Sequence, residues 1–153
     1  MFSSKTKNYF IIFCSLILLT SCHFSRVYND DKADVADGTT FLKDFYSDLK
    51  NHNEIHMVAK MSDSLLNKVG KDKYLEFLHY ADTTAGKLLK YHIDQLITKR
   101  IEKENTVQVY YKAAITGNYE KTTTHESVTL TRLPGEDIKV YGYYVNFDQL
   151  ATK

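Results

Sequence analysis

The chain has no tryptophan, a single proline and two cysteines among its 153 residues. Both cysteines, Cys14 and Cys22, lie near the N-terminus, and from His23 onward there is none. The body of the protein therefore has no disulfide, no thiolate metal ligand and no cysteine nucleophile. Small domains outside the cytoplasm often rely on disulfides, so this one depends on its apolar core. Charge bias is missing too: 20 basic and 19 acidic side chains give a formal net charge of +1. Nucleic-acid binding normally demands a basic protein, and this balance argues against it. The sequence contains no glycine-rich phosphate loop, serine elbow or paired-carboxylate motif. Its longest apolar run falls short of the roughly 20 residues that a membrane-spanning helix needs.

That run is nevertheless informative. Lys5 and Lys7 precede the hydrophobic stretch 9–19, which is the order of a secretory signal peptide. The stretch closes on Leu19-Thr20-Ser21-Cys22, which resembles the lipobox of bacterial lipoproteins. The resemblance implies a diacylglyceryl group on the Cys22 thiol and cleavage just before it, with Thr20 and Ser21 small enough for the peptidase site. One acyl chain holds a protein only marginally, at about 0.8 kcal/mol per buried methylene, whereas two make attachment stable. Loss of residues 1–21 leaves 132 of the 153 residues and shifts the charge from +1 to −1, because Lys5 and Lys7 are the only charged residues removed. The expected address is the bacterial cell envelope, with the outer membrane favoured over the inner and the domain facing the periplasm or the outside.

Residues 22–38 lack helical or strand periodicity and carry Asp30, Asp31, Asp34 and Asp37. They read as a lipidated, solvated tether with a reach of roughly 20–25 Å. A single domain is expected over 39–153. Phe41, Leu42, Phe45 and Leu49 recur at helical spacing, and Ile55, Val58, Ala59 and Met61 suggest a second, short helix. Ser62 looks like an N-cap for a third helix over residues 63–69, and Gly70 like its stop. A fourth, over residues 71–87, aligns Tyr74, Leu75, Leu78, Ala81 and Ala85 and ends at Gly86. Beyond Gly86 the period becomes strand-like. Leu89, Tyr91 and Ile93 alternate with polar residues until Gln95-Leu96, where the phase slips as at a bulge. Val107, Val109, Tyr111, Ala113 and Ile115 alternate cleanly, Gly117-Asn118 reads as a two-residue hairpin turn, and Val128 and Leu130 continue the apolar face. Pro134-Gly135 marks a turn before a last strand over 138–147. There, one residue of slip decides whether Ile138 and Val140, or Tyr141, Tyr143 and Val145, face the core.

The expected class is α+β: three or four N-terminal helices packed on a curved four-stranded antiparallel sheet. Together with Phe41-Leu42-Lys43-Asp44-Phe45-Tyr46 and Lys139-Val140-Tyr141-Gly142-Tyr143, that order resembles the nuclear-transport-factor-2-like (ketosteroid-isomerase-like, cystatin-like) fold found in many bacterial lipoproteins. The resemblance covers about residues 39–148 and implies a cone-shaped pocket between sheet and helices. Some members of that superfamily are enzymes, while others bind ligands or dimerise.

Several residues are candidates for function. Tyr46 on the first helix and Tyr91 on the first strand are placed to meet in the pocket, with His92 or Asp94 as an ionisable partner. Under the expected turn, Tyr110 and His125 lie opposite each other on the outer sheet face. With Tyr144 they form a candidate surface for a second copy or an envelope protein, since tyrosine offers large area and a polar tip. His52 and His56 stand at i and i+4, a metal-binding spacing. However, Asn51 and Asn53 place a helix boundary there and no third ligand is near, so no metal and no cofactor is expected. The leading expectation is a non-catalytic binding or interaction module, lipid-anchored to a membrane. A pocket enzyme of the isomerase or hydratase kind is the alternative, and its signature is Tyr46 meeting an ionisable residue inside a cavity. An inhibitor or immunity-type lipoprotein is a third reading, marked by a partner-facing patch and no usable cavity.

Overall fold

The computed structural model describes residues 25–148, so Cys22 and the signal segment lie outside the described residues. Strand β1 spans Ser25–Asn29 and pairs antiparallel with β2 (Leu88–Lys103), from Ser25↔Lys103 to Asn29↔Lys99. Asp31 then caps the helix α1 (Lys32–Lys50), its carboxylate accepting the Ala33 N–H at 3.0 Å. From Ser25 onward, the stretch expected to be tether is therefore a strand and the opening of a helix that starts about two turns before Thr39.

The four aspartates of that stretch explain the correction, because each has a structural partner. Asp30 accepts the Thr98 N–H at 2.8 Å and so fastens the end of β1 to β2. Asp34 is fully buried and accepts Arg100 Nε and Nη2 at 2.8 Å each, together with Arg132 Nη2 at 2.7 Å. Asp37 accepts Arg132 Nη1 at 2.8 Å. The first turns of α1 bury an ion pair and Gly38, features to which hydrophobic periodicity is blind. A Cβ on Gly38 would lie 2.7 Å from Tyr111 Cδ1, and its absence lets the helix settle directly on the sheet.

Three further helices follow: α2 (Glu54–Ala59), α3 (Asp63–Val69) and α4 (Lys71–Ala85). The Ser62 hydroxyl caps α3 by accepting the Leu65 N–H at 3.2 Å, and Gly86, at φ 78°, ends α4. Both features agree with expectation. The sheet is antiparallel and runs in the order β1-β2-β3-β4-β5, with β3 over Thr106–Tyr119, β4 over Thr123–Arg132 and β5 over Lys139–Phe147. The class is α+β with five strands rather than four, the extra one being β1. The phase slip in β2 falls between Ile93 and Gln95, where a bulge was expected.

Two register details differ from expectation. The β3–β4 turn lies at Glu120–Thr122, closed by a Tyr119 N–H to Thr122 carbonyl bond of 2.9 Å, while Gly117 and Asn118 stay in the ladder opposite Thr124 and Thr123. In β5 a shift beside Leu130 lets Val140 pair with Leu130 and Tyr143 with Val128. Both apolar phases of that strand thus reach the core, with exposed Tyr141 between them. The outer edge of β5 is covered near its start, where Ser62 N–H bonds Val140 O at 2.9 Å and Val140 N–H bonds Lys60 O at 2.8 Å. Leu42, Phe45 and Tyr46 of α1, Met57 of α2 and Leu78 of α4 form the core with Val109, Tyr111, Ile115, Val128 and Leu130.

Asp34→Ala removes three charged hydrogen bonds, leaving Arg132 only Asp37 and Arg100 only Glu102 at 3.6 Å, and is expected to lower unfolding free energy by about 3–5 kcal/mol in urea titrations. Gly38→Ala is expected to cost about 1–3 kcal/mol through displaced Tyr111, although alanine is the better helix former by about 1 kcal/mol. A cost under about 1 kcal/mol for Asp34→Ala would show that the ion pair does not hold α1.

Candidate functional site

Period-two alternation in β4 turns Thr124, Glu126, Val128 and Leu130 to the helix side of the sheet. Glu126 is 3% exposed, and four hydroxyls from four elements or positions converge on it. Tyr46 of α1 donates to Oε2 at 2.5 Å, and Tyr143 of β5 donates to the same oxygen at 2.7 Å. Thr124 donates to Oε1 at 2.6 Å and Tyr119, at the end of β3, at 3.0 Å. A carboxylate offers about four acceptor positions, two per oxygen, and here all are taken.

The chemistry follows from that saturation. Burial, reinforced by the Glu126 charge, holds the phenols of Tyr46, Tyr119 and Tyr143 well above the ordinary tyrosine range. They remain protonated donors. For Glu126 to take a proton from a bound molecule, it must first release one of these bonds. The cluster ties α1 to three strands around one anion.

Gly117 makes room for it. A Cβ there would lie 2.6 Å from Thr124 Oγ1 and 2.7 Å from Glu126 Oε1. Across the ladder Gly117 faces Tyr91, whose ring stacks on Tyr46 with centroids 4.5 Å apart and planes at 22°. The structure therefore brings Tyr46 and Tyr91 together, but the ionisable partner is Glu126. His92 and Asp94 are exposed, and Asp94 accepts the Thr116 hydroxyl at 2.7 Å. Sequence reasoning missed Glu126. The available signal was its phase: it shares the strand face of Val128 and Leu130, where a carboxylate needs donors.

Two hollows are candidates for a site, one bordering these residues and one apart from them. One, of about 50 Å³, is lined by Leu49, Met57, Leu78, His79 and Asp82, together with Tyr119 and Tyr143. It has room for a few waters and falls far below the roughly 300–1,000 Å³ of a site for a drug-sized ligand. The second is an open groove of about 650 Å³ between the α2–α3 segment and the sheet, lined by Val58, Met61, Leu66, Tyr110, Leu133 and Tyr141. Tyr141 and Tyr110 are 53% and 42% exposed on its rim.

The remaining candidates are dispersed. Tyr110, His125 and Tyr144 are all exposed and share the outer face. Because the turn lies beyond Gly117-Asn118, however, Tyr110 pairs with Thr131 and His125 with Thr116, six positions away along β3. That separation is about 20 Å, so the expected Tyr110–His125 pair does not form. Tyr144 sits opposite Ser127, and His125 Nε2 lies 3.4 Å from Asp148. His52 occupies the α1–α2 turn at φ 51°, with Nδ1 3.9 Å from Asp82, whereas His56 Nδ1 approaches Asp48 at 3.5 Å. The two histidines take different partners, and among the described residues no group of three potential ligands converges. No known protein family, curated protein or solved structure matches the chain.

Glu126→Ala takes the acceptor from the hydroxyls of Tyr46, Tyr119 and Tyr143, while Thr124 keeps the Gly117 carbonyl, and is expected to cost about 3–5 kcal/mol. Tyr46→Phe, which removes one donor, should cost about 1–2 kcal/mol. Equal, small losses for the two variants in urea unfolding would show that the carboxylate does not organise the cluster.

The same tyrosines set an alkaline limit. Burial also pushes the Tyr111 phenol up to about 12. In the unfolded chain all of these phenols ionise near about 10. Folding free energy is therefore fully present below that pH and falls as pH rises through the folded-state values, because the unfolded chain then binds fewer protons. Tyrosinate absorbance and loss of far-ultraviolet dichroism are expected to rise together in a base titration. Ionisation of every tyrosine near pH 10 with dichroism intact would contradict the burial-driven shifts.

Proposed function

We propose that this chain is a lipid-anchored cell-envelope protein whose domain binds a ligand or protein partner without catalysing a reaction. The observation that carries the binding reading is the groove of about 650 Å³ with Tyr110, Leu133 and Tyr141 exposed around it. Its size suits a ligand or an inserted side chain, and exposed aromatics with polar tips suit recognition. The lipobox-like Leu19-Thr20-Ser21-Cys22 supports the address. The finer fold reading is nuclear-transport-factor-2-like. Helices packed on one face of a bulged antiparallel sheet support it, while β1 preceding the helices departs from the expected order.

A second reading draws on the 2.5 Å Tyr46–Glu126 contact, an acid–base pair of the kind a small isomerase or hydratase uses. It is the weaker one, because Tyr46 lines neither the small cavity nor the groove and Glu126 has no vacant acceptor position. An inhibitor or immunity role predicts a partner patch without a cavity, and the groove argues against it.

A photo-crosslinking residue at Tyr141 is expected to capture a defined small molecule or protein in cells, while the same residue at exposed Tyr80 on α4 does not. Capture lost with Leu133→Glu places the occupant in the groove. No difference between positions 141 and 80 would remove the binding reading. In parallel, Cys22→Ala is expected to abolish labelling by a fatty-acid analogue, and persistent labelling would remove the anchor.

A further inference from the structure

We infer that the outer face of strands β1–β3 lies against an anionic lipid headgroup layer, so that the domain rests on its membrane. The inference builds on the proposed lipid attachment at Cys22. Only His23 and Phe24 separate Cys22 from Ser25, the first residue of β1. At no more than about 3.6 Å per residue, Ser25 is held within about 11 Å of the acylated residue. The headgroup region on each side of a bilayer is itself about 5–8 Å thick. With no long tether available, the end of β1 is kept at the lipid surface and only the orientation of the domain is left open.

Charge selects the orientation. The helices cover one sheet face, and ladder partners share a face, so the outer face can be read from the register. Ser25 lies beside Lys103, Val27 beside Ile101 and Asn29 beside Lys99. Lys99 in turn pairs with Tyr110, and Ile97 with Lys112. From the β2–β3 hairpin to the Ile97–Lys112 row, the outward positions of these three strands carry Lys99, Lys103 and Lys112 and no carboxylate. Val27, Ile97 and Tyr110 between them are exposed. Two outer carboxylates flank the patch: Asp94, which accepts the Thr116 hydroxyl, and Glu104 at the hairpin tip. Lysine stems topped by ammonium groups, interleaved with aliphatic and tyrosine side chains, match a surface that is anionic outside and apolar just beneath.

A second copy of the chain fits this face poorly. A two-fold interface sets the same patch against itself, three lysines facing three lysines, with only the flanking Asp94 and Glu104 to offset them. A lipid layer supplies the missing anions.

The test uses the processed full chain, purified from membranes and reconstituted in vesicles. Cys22 is the one native cysteine after removal of residues 1–21, so an acylated protein takes a thiol-reactive fluorophore only at an introduced site. Ile97→Cys and Lys112→Cys report the outer face from adjacent strands, and Lys43→Cys reports the exposed side of α1. In vesicles containing brominated phosphatidylglycerol, labels at 97 and 112 are expected to be quenched at least about threefold more than the label at 43. The difference should collapse in phosphatidylcholine vesicles, and between the labels at 97 and 43 it should also collapse in the Lys99→Glu, Lys103→Glu, Lys112→Glu variant.

Equal quenching at all three sites overturns the docked orientation. So does quenching at 97 that survives charge reversal. Efficient disulfide formation between two copies of the Ile97→Cys variant in detergent assigns the face to a second copy instead. Intact mass of the same preparation judges the anchor separately: an unmodified Cys22 defeats the lipid reading, whereas an acylated Cys22 with equal quenching defeats only the docking.

Discussion

Glu126 is buried among apolar groups, and a buried anion without donors is among the costliest arrangements a domain can hold. That constraint dictates what its neighbours must be. α1 must present a hydroxyl at Tyr46, β5 must bring Tyr143 inward, β3 must end on Tyr119, and β4 must place Thr124 one inward position away. Hydrogen bonds to a charged acceptor contribute about 1.5–3 kcal/mol each, but desolvating a carboxylate costs several kcal/mol, so the net gain is modest. What the cluster fixes is geometry. A slip of β5 by one residue would withdraw Tyr143 and leave Oε2 short of a donor, and rotation of α1 would withdraw Tyr46.

Asp34 plays the matching part at the other end of α1. It takes Arg100 from β2 and Arg132 from β4, partners 66 and 98 residues away, and so spans the sheet from below. A helix with an acid in its first turn and a tyrosine three turns later is thus pinned at both ends by polar contacts, with Leu42 and Phe45 packed between them. Burial of the apolar stripe drives association, and the two polar ties select one placement from the many that a smooth stripe would allow. A chain without disulfides gains in specificity from such ties.

The legible parts of the fold were those set by neighbours in sequence. The Ser62 cap, the Gly86 stop, the bulge in β2 and the alternation of β3 each depend on a few adjacent residues. The illegible parts depend on distant partners. Residues 25–38 look like an acidic linker until Arg100 and Arg132 are brought beside Asp34 and Asp37. Gly117-Asn118 has the composition of a hairpin turn, yet the glycine serves to clear space for a carboxylate nine residues further along the chain. That single misplacement shifted the β3–β4 register and set Tyr110 against His125 instead of Thr131. In the same way Glu126 stayed hidden, since its burial becomes intelligible only once three tyrosines from separate elements are in place.

The inner and outer faces of the sheet divide the polar chemistry between them. Acids that serve the fold, Asp34 of α1 and Glu126 of β4, lie between helices and sheet and are held there by guanidinium groups and by hydroxyls respectively. On the outer face of β1–β3 the lysines remain, spaced by Val27, Ile97 and Tyr110. A near-zero net charge conceals this segregation, because the sum over the chain cancels what the two faces separate. The segregation also bears on the groove. Tyr110 belongs both to the outer face and to the groove rim, whereas Val58, Met61 and Leu66 enter the groove from the helix side. A domain resting on lipid through Lys99 and Lys112 therefore holds one wall of its groove at the headgroup layer.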